Sequence, residues 1–429
     1  MNTLIFIGLS VASSGLAALR VFWVEAQFNI DTVAAYMFFQ SLLMLAAYSD
    51  FGVNQGVLYR SVQRSVRNRK KAAASIINGV IKKASLLCIL FLILYYPIFL
   101  LLTKNALSNL QITILCLSYI VSLAFANFTQ VYLRAFDYLV SLAVFNLLVS
   151  ILTLIIMSIF QDIFEDAGLF YLLMSQPLSI LIIFSAYIFL RCYNKLDLTV
   201  KSYPWYVVCN ISSSGIYIAL IGLLYGFFVI MDKIYMARLD HIDGSAVYVF
   251  FTVFSGIAIT LSGFAYQAGF KYFFKSDEKS EFLQKNVDEL IKYFFTSVTP
   301  LCMIFLIIII YYLNNYQSEH LKYIQFIPLV IFTAINSVFV GFVNQYLLAN
   351  YQHKIIFFYN LVVLGFTITL TEILFHYGLI NSVKYFGICM SIVGLVYMML
   401  LIIKAGASLG NVFYNIALFG AVLTVALNS

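Results

Sequence analysis

Charge is scarce in this chain. Of its 429 residues only 10% are Asp, Glu, Lys or Arg, against about 25% in a soluble globular domain. With 63% hydrophobic residues and a mean hydropathy of +0.97, no soluble fold could hide the apolar surface, so the bilayer has to act as solvent. Backbone groups left unpaired in lipid are costly, which leaves helices or closed barrels as spanning structures. The apolar runs are continuous rather than alternating, and this selects helices of about 20 residues. Paired cysteines are lacking too. Cys88, Cys116, Cys192, Cys209, Cys302 and Cys389 stand singly in apolar runs without a C-x-x-C, so neither a disulfide framework nor a zinc site is expected. His241, His320, His353 and His376 have no metal-ligand spacing, and no cofactor is expected. No basic residue precedes the apolar run that begins at Met1 and continues to Trp23, which reads as an uncleaved first span rather than a signal peptide.

What is there reads as an all-α integral membrane protein. Spans are expected at 3–23, 33–58, 74–102, 109–133, 140–160, 167–190, 206–231, 244–268, 290–313, 322–348, 354–377 and 382–403, with a short thirteenth apolar stretch at 411–427. The net charge of +7 is a topology signal, not a nucleic-acid footprint. With the N-terminus in the cytoplasm, 19 of the 25 Lys and Arg residues fall on or beside the inner connections, among them Arg60, Arg64, Arg67, Arg69, Lys70 and Lys71. That asymmetry is what the positive-inside rule requires, and one missed helix would scramble it. The longest inner connection, 268–289, is mixed in charge and reads as a solvated surface helix.

The chain repeats itself weakly. Asp31, Ala34, Tyr36, Phe38 and Phe39 recur as Asp243, Ala246, Tyr248, Phe250 and Phe251. Phe125, Phe128, Tyr132, Leu133 and Ala135 recur as Phe339, Phe342, Tyr346, Leu347 and Ala349, and Asn146-Leu147 recurs as Asn360-Leu361. The offsets agree within two residues and cover six helices, an even number, so the halves keep one orientation. Such a parallel repeat has its axis along the membrane normal. The expected organisation is an N-lobe over 1–200, a C-lobe over 201–408 and a C-terminal appendage over 409–429, an extra helix, with the two six-helix lobes around a central cavity.

Charges within spans are costly and either serve a path or snorkel to an interface. Arg20, near the outer end of the first span, and Lys233, at the outer end of the seventh, occupy equivalent helices. Both are candidate cleft cations for a phosphate-bearing substrate; the alternative is outward snorkelling, with Lys233 paired to Asp232. Glu372 is the one carboxylate well inside an expected span, a candidate ion-coupling site; the alternative places it at the outer rim beside His376. Asp50, in YSDFGVNQGVLYR, caps the neighbouring helix, pairs with a base, or takes part in ion coupling. Gly52 and Gly56 in the same segment have the spacing that lets helices pack closely, as do Ser10, Ser14 and Ala18. Arg60 and Arg134 are candidate entry contacts for a lipid-linked phosphate or simple topology anchors, Arg134 with Asp137 as its ion-pair partner. Pro97, Pro177, Pro300 and Pro328 lie inside apolar runs as candidate kinks.

Three segments carry a family resemblance: YSDFGVNQGVLYR, YLRAFDYLVSLAVFNLL, and VIMDKIYMARLDHIDGSAVYVFFTVF with its Asp232-Lys233 pair. Together they resemble the O-antigen/polysaccharide flippases of the multidrug/oligosaccharidyl-lipid/polysaccharide exporter (MOP) superfamily, over residues 1–405. The resemblance implies a MATE-like fold and a bacterial inner-membrane location. It implies flipping of undecaprenyl-pyrophosphate-linked oligosaccharide from the cytoplasmic to the periplasmic leaflet, with Arg20 and Lys233 near the cavity. It also implies membrane lipids, glycan polymerase and chain-length proteins as partners, and proton or sodium coupling. The chain is sparser in cavity charge than the lipid II flippases of that superfamily.

Two other readings stand beside this one. A cation-coupled multidrug exporter shares the fold but is expected to carry more acids in its bundle than Glu372. A membrane glycan polymerase or ligase needs a large outer loop for its catalytic residues, and the outer connections here are short. A scaffold would leave the repeat unexplained.

Overall fold

The computed structural model describes residues 2–28, 30–66, 70–103, 107–136, 138–163, 168–191, 202–236, 353–379 and 383–405, with isolated positions 311, 340, 417 and 420. The described residues are helical with short connections: α1 (Asn2–Gln27), α2 (Ile30–Met44), α3 (Val53–Val66), α4 (Lys70–Thr103), α5 (Asn109–Ala135), α6 (Leu139–Ile163), α7 (Gly168–Arg191), α8 (Trp205–Met236), α9 (His353–His376) and α10 (Val383–Ala405). The expected spans at 244–268, 290–313 and 322–348, the surface helix at 268–289 and the stretch 411–427 lie outside the described residues, apart from those isolated positions. The chain parts into two compact units, Met1–Ile230 and Met231–Ser429.

Four described helices are long and apolar enough to cross a membrane: Asn109–Arg134, Leu139–Gln161, Gly168–Ala186 and His353–His376. Apolar stripes at helical spacing stand on the outside of the helices. Leu148, Ile151, Ile155 and Ile159 are exposed on α6, and Leu86, Ile89, Leu90, Ile93 and Leu94 on α4. Stripes of this extent suit lipid rather than water.

In the first unit α5 is central, touching α2, α3, α4, α6 and α7, while α1 packs along α6. The N-terminus of α5 is a capping box: Ser108 Oγ accepts from the Gln111 N–H at 3.3 Å and Gln111 Oε1 accepts from the Ser108 N–H at 3.0 Å. The α1–α6 seam is joined by Ser13 Oγ and Ser150 Oγ at 3.0 Å. Of the expected small-residue stripe on α1, Ser10 and Ser14 are buried, but Ser13 makes the contact.

One expectation needs correction. The span 33–58 is not a continuous helix. After α2 the chain tightens into a 3₁₀ turn at Leu45–Tyr48, breaks at 49–52 and restarts as α3, which runs on as helix through Val66 into the expected inner connection. Freed backbone groups near the break find substitute partners, as burial demands. Tyr95 donates its hydroxyl to the Leu42 carbonyl. Asn127 Nδ2 donates to the Ala47 carbonyl at 2.6 Å, and Ser212 Oγ to the Phe51 carbonyl at 3.0 Å. A ladder of rings along α4 braces it: Phe39 against Phe99, Phe99 against Tyr95, Tyr95 against Phe91 and Phe91 against Phe51, with centroids 5.3 to 6.1 Å apart.

α8 is bent as well. Its axis turns by 53° between Trp205–Ser213 and Gly215–Leu224, at a Ser-Gly step of the kind that admits kinks. There it crosses the α2–α3 break at backbone distance. A Cβ on Gly215 would stand 2.0 Å from the Gly52 carbonyl oxygen, and one on Gly56 would stand 2.2 Å from that of Ile211. The small-residue spacing at Gly52 and Gly56 is therefore a helix-crossing seam.

Val149 and Thr153 on α6 recur as Val363 and Thr367 on α9. In both helices the threonine is buried and returns its hydroxyl to the valine carbonyl at 2.7 Å. In the second unit α9 packs on α10, where Tyr397 donates to Asn360 Oδ1 at 2.6 Å.

Candidate functional site in the first unit

One group of polar side chains in the first unit lies near the helix ends marked by Gln27, Ile30, Asn109 and Gly168. Arg20 stands seven residues before the end of α1, roughly 10 Å in at about 1.5 Å per residue. Gln176 lies at a comparable depth on α7, as do Tyr36 and Gln40 on α2 and Tyr119 on α5. Four separate helices thus bring these five residues to one level.

Gln176 is the hub. Its Oε1 accepts from Arg20 Nη1 at 3.3 Å and from Gln40 Nε2 at 3.2 Å. Tyr36 and Tyr119 are buried in the neighbourhood of the guanidinium. Arg20 therefore bonds inward to α7. Its Nε is buried with no hydrogen-bond partner among the described residues. The hydrogen-bond partner seen is a neutral amide.

The position of Gln176 has a local cause. Pro177, next in the chain, lies inside α7 and has no N–H to give the carbonyl four residues back, that of Leu173. Tyr119 supplies the missing donor, its hydroxyl 3.0 Å from the Leu173 oxygen. Ser175 and Ser179 bond back onto the same helix, to the carbonyl of Leu172 at 2.6 Å and to that of Ser175 at 2.7 Å. The proline site is thus closed on nearby polar groups, and Gln176 is held at its edge.

The other candidates lie elsewhere. Asp50 is 4% exposed, and its two oxygens accept the Gly52 N–H at 3.2 Å and the Asn54 N–H at 2.6 Å. It caps α3, the helix that follows it. Arg60 reaches across to α8: its Nη2 donates to the Asn210 carbonyl and Oδ1 at 2.6 and 3.1 Å, tying the two helices together. Arg134 donates to Gln130 Oε1 at 3.2 Å on its own helix, at the C-terminal end of α5 where a cation suits the helix dipole. Asp137 lies outside the described residues. Glu372 is exposed, one turn before the end of α9. Asp232 and Lys233 belong to α8, but their side chains lie outside what is described. Gln40, Tyr119 and Gln176 are the residues that sequence reasoning missed. The one available signal was Pro177, which marks a carbonyl in need of a donor.

No protein-family model matches the chain, and no characterised protein matches it in sequence. Solved structures do match in fold. A MATE transporter in complex with MaL6 superposes with a TM-score of 0.70 at 15% identity, covering 97% of this chain and 96% of that one. A multidrug resistance MATE family transporter of the MOP superfamily in an outward-facing conformation gives a TM-score of 0.66 at 14% identity, covering 98% and 96%. A MOP superfamily transporter from Pyrococcus furiosus, described as having a binding pocket of reversed polarity that suggests a different function, gives 0.65 at 14% identity, over 98% and 96%. The fold is therefore all-α and MATE-like, a multi-pass membrane architecture.

Proposed function

We propose that this protein is a transporter of the MOP superfamily that flips undecaprenyl-pyrophosphate-linked oligosaccharide from the cytoplasmic to the periplasmic leaflet by alternating access. The observation that carries the reading is Arg20. A guanidinium in a span costs about 2.5–3.5 kcal/mol at mid-membrane on insertion scales, and here it is turned inward onto a neutral amide. An anionic ligand would complete it with charge-assisted, bidentate hydrogen bonds. A cationic drug would meet a like charge, which counts against the multidrug-exporter reading. Lys233, on the equivalent helix of the repeat, is the proposed second cation. Glu372 and Asp232 are the proposed sites of proton or sodium coupling, Asp50 being engaged as a cap. Arg60 and Arg134, on the inner side in the proposed topology, would meet the head group at entry, and glycan polymerase and chain-length proteins would receive the product.

The test is leaflet exposure of lipid-linked glycan in cells lacking the protein, complemented by wild type or by Arg20→Ala. Glycan accumulating on the cytoplasmic face without the protein, and no rescue by a well-inserted Arg20→Ala, is the expected result. Single glycan units appearing outside but unpolymerised would point to a polymerase or ligase instead. Loss of resistance to cationic drugs in cells lacking the protein, restored by wild type, would favour the drug exporter.

A further inference from the structure

Two donors converge on one oxygen at Gln176, and this orients its amide. With Oε1 taken by Arg20 and Gln40 at 3.3 and 3.2 Å, the NH2 group must point the other way, since oxygen and nitrogen sit on opposite branches of one planar group. Among the described residues no hydrogen bond occupies that NH2, and none occupies Arg20 Nε. The amide nitrogen is one amide width from an oxygen that the guanidinium already touches. It and the Arg20 Nη groups therefore lie close enough together for a single pyrophosphate to span both, the buried Nε taking no part. Gln40 has a separate effect, because it holds the amide against flipping: reversing Gln176 would set its NH2 against two other N–H donors.

We propose that Gln176 is a specificity-determining residue of the anion site, donating its NH2 to the lipid-linked pyrophosphate beside Arg20. The proposal rests on the reading of Arg20 given above. Tyr119 acts one step further out, as a positioning residue: by replacing the donor that Pro177 lacks, it fixes the proline turn on which Gln176 sits. The arrangement also explains why an amide suits this position better than a carboxylate. A carboxylate would keep both bonds to Arg20 and Gln40, neutralise the cation and present oxygen where the ligand's oxygens must lie.

The experiment uses the purified full chain in nanodiscs, with farnesyl pyrophosphate and farnesol as probes. Wild type, Arg20→Ala, Gln176→Glu and Gln176→Ala are compared. Gln176→Glu is expected to weaken farnesyl pyrophosphate binding by more than about a hundredfold and Gln176→Ala by more than about tenfold, roughly the loss of one hydrogen bond to a charged group. Farnesol binding should stay unchanged in both. Gln176→Ala adds no charge and carries the comparison where Gln176→Glu does not fold. If Arg20→Ala loses binding while the Gln176 variants bind as wild type, Gln176 is only structural and the proposal falls, with the Arg20 reading intact. If Arg20→Ala also binds as wild type, the anion reading falls with it.

Discussion

At Leu173 one phenol stands in for one peptide N–H. In lipid that exchange is not optional, because no water reaches a carbonyl left open by a proline. Tyr119→Phe should therefore cost about 1 kcal/mol, at the modest end seen for buried polar bonds in membrane proteins. In a Pro177→Ala background the peptide N–H returns to Leu173, and the same change should cost almost nothing. Thermal unfolding of the four proteins in detergent measures the coupling; additive losses would show that Tyr119 does not serve the proline site. Asp50 allows a similar argument. Both its oxygens accept backbone N–H groups at the start of α3, so Asp50→Ala should lose about 1 kcal/mol while Asp50→Asn, which keeps one of the two acceptors, loses less. Equal losses in the same melting assay would mean that the single acceptor left in Asp50→Asn contributes nothing as a cap.

Elements show where composition misleads. Residues 33–58 are apolar enough to be read as one span, yet the chain breaks at 49–52. Phe51 and Gly52 take up left-handed φ angles of 50° and 80°, a conformation that glycine adopts freely and phenylalanine only when held. Phe51 is held by Phe91 and by Ser212. The Asp-Phe-Gly triplet is a turn signal in the sequence, but the hydropathy of the run outweighs it. The bend in α8 was less legible, since its Ser-Gly step acquires meaning only from the Gly52 backbone opposite. Gly215→Ala is expected to abolish this crossing. Its Cβ would stand 2.0 Å from the Gly52 oxygen and 2.3 Å from the Gly56 nitrogen, and neither is a movable side-chain end. The expected outcome is loss of monodisperse protein on size exclusion in detergent. Gly365→Ala, where nothing lies within 4 Å of the added carbon, serves as control.

On the scale of the whole molecule, the asymmetry of basic residues makes a topological prediction. Asn109 is the exposed first residue of α5, beside the connection from α4, and Ser202 lies just ahead of α8. Each is replaced by cysteine in a background from which the native cysteines, the exposed Cys209 among them, have been removed. With the N-terminus inside, Asn109→Cys should be labelled by an impermeant maleimide in intact cells, and Ser202→Cys only after permeabilisation. The reverse pattern would invert the proposed direction of flipping, because the same face sets where the lipid-linked glycan enters. The repeat operates on this scale too. Its trace in the sequence is a handful of recurring aromatic and small residues.

The amino-acid sequence by itself determined the solvent, the helical class and the repeat. These follow from sums over many residues, of apolar area, of charge on alternate connections and of spacing, and such sums survive any single misplacement. Arg20 was legible for a related reason, since a lone cation in an apolar run is conspicuous whatever surrounds it. Gln40, Tyr119 and Gln176 were not, because neutral polar side chains are common in this chain and no local rule says which of them will meet. Only the tertiary structure brought four helices to one depth and turned a proline's missing donor, a phenol and two amides into a frame for one guanidinium. A hydrogen bond depends on the positions of two atoms far apart in the chain, and packing alone sets that distance.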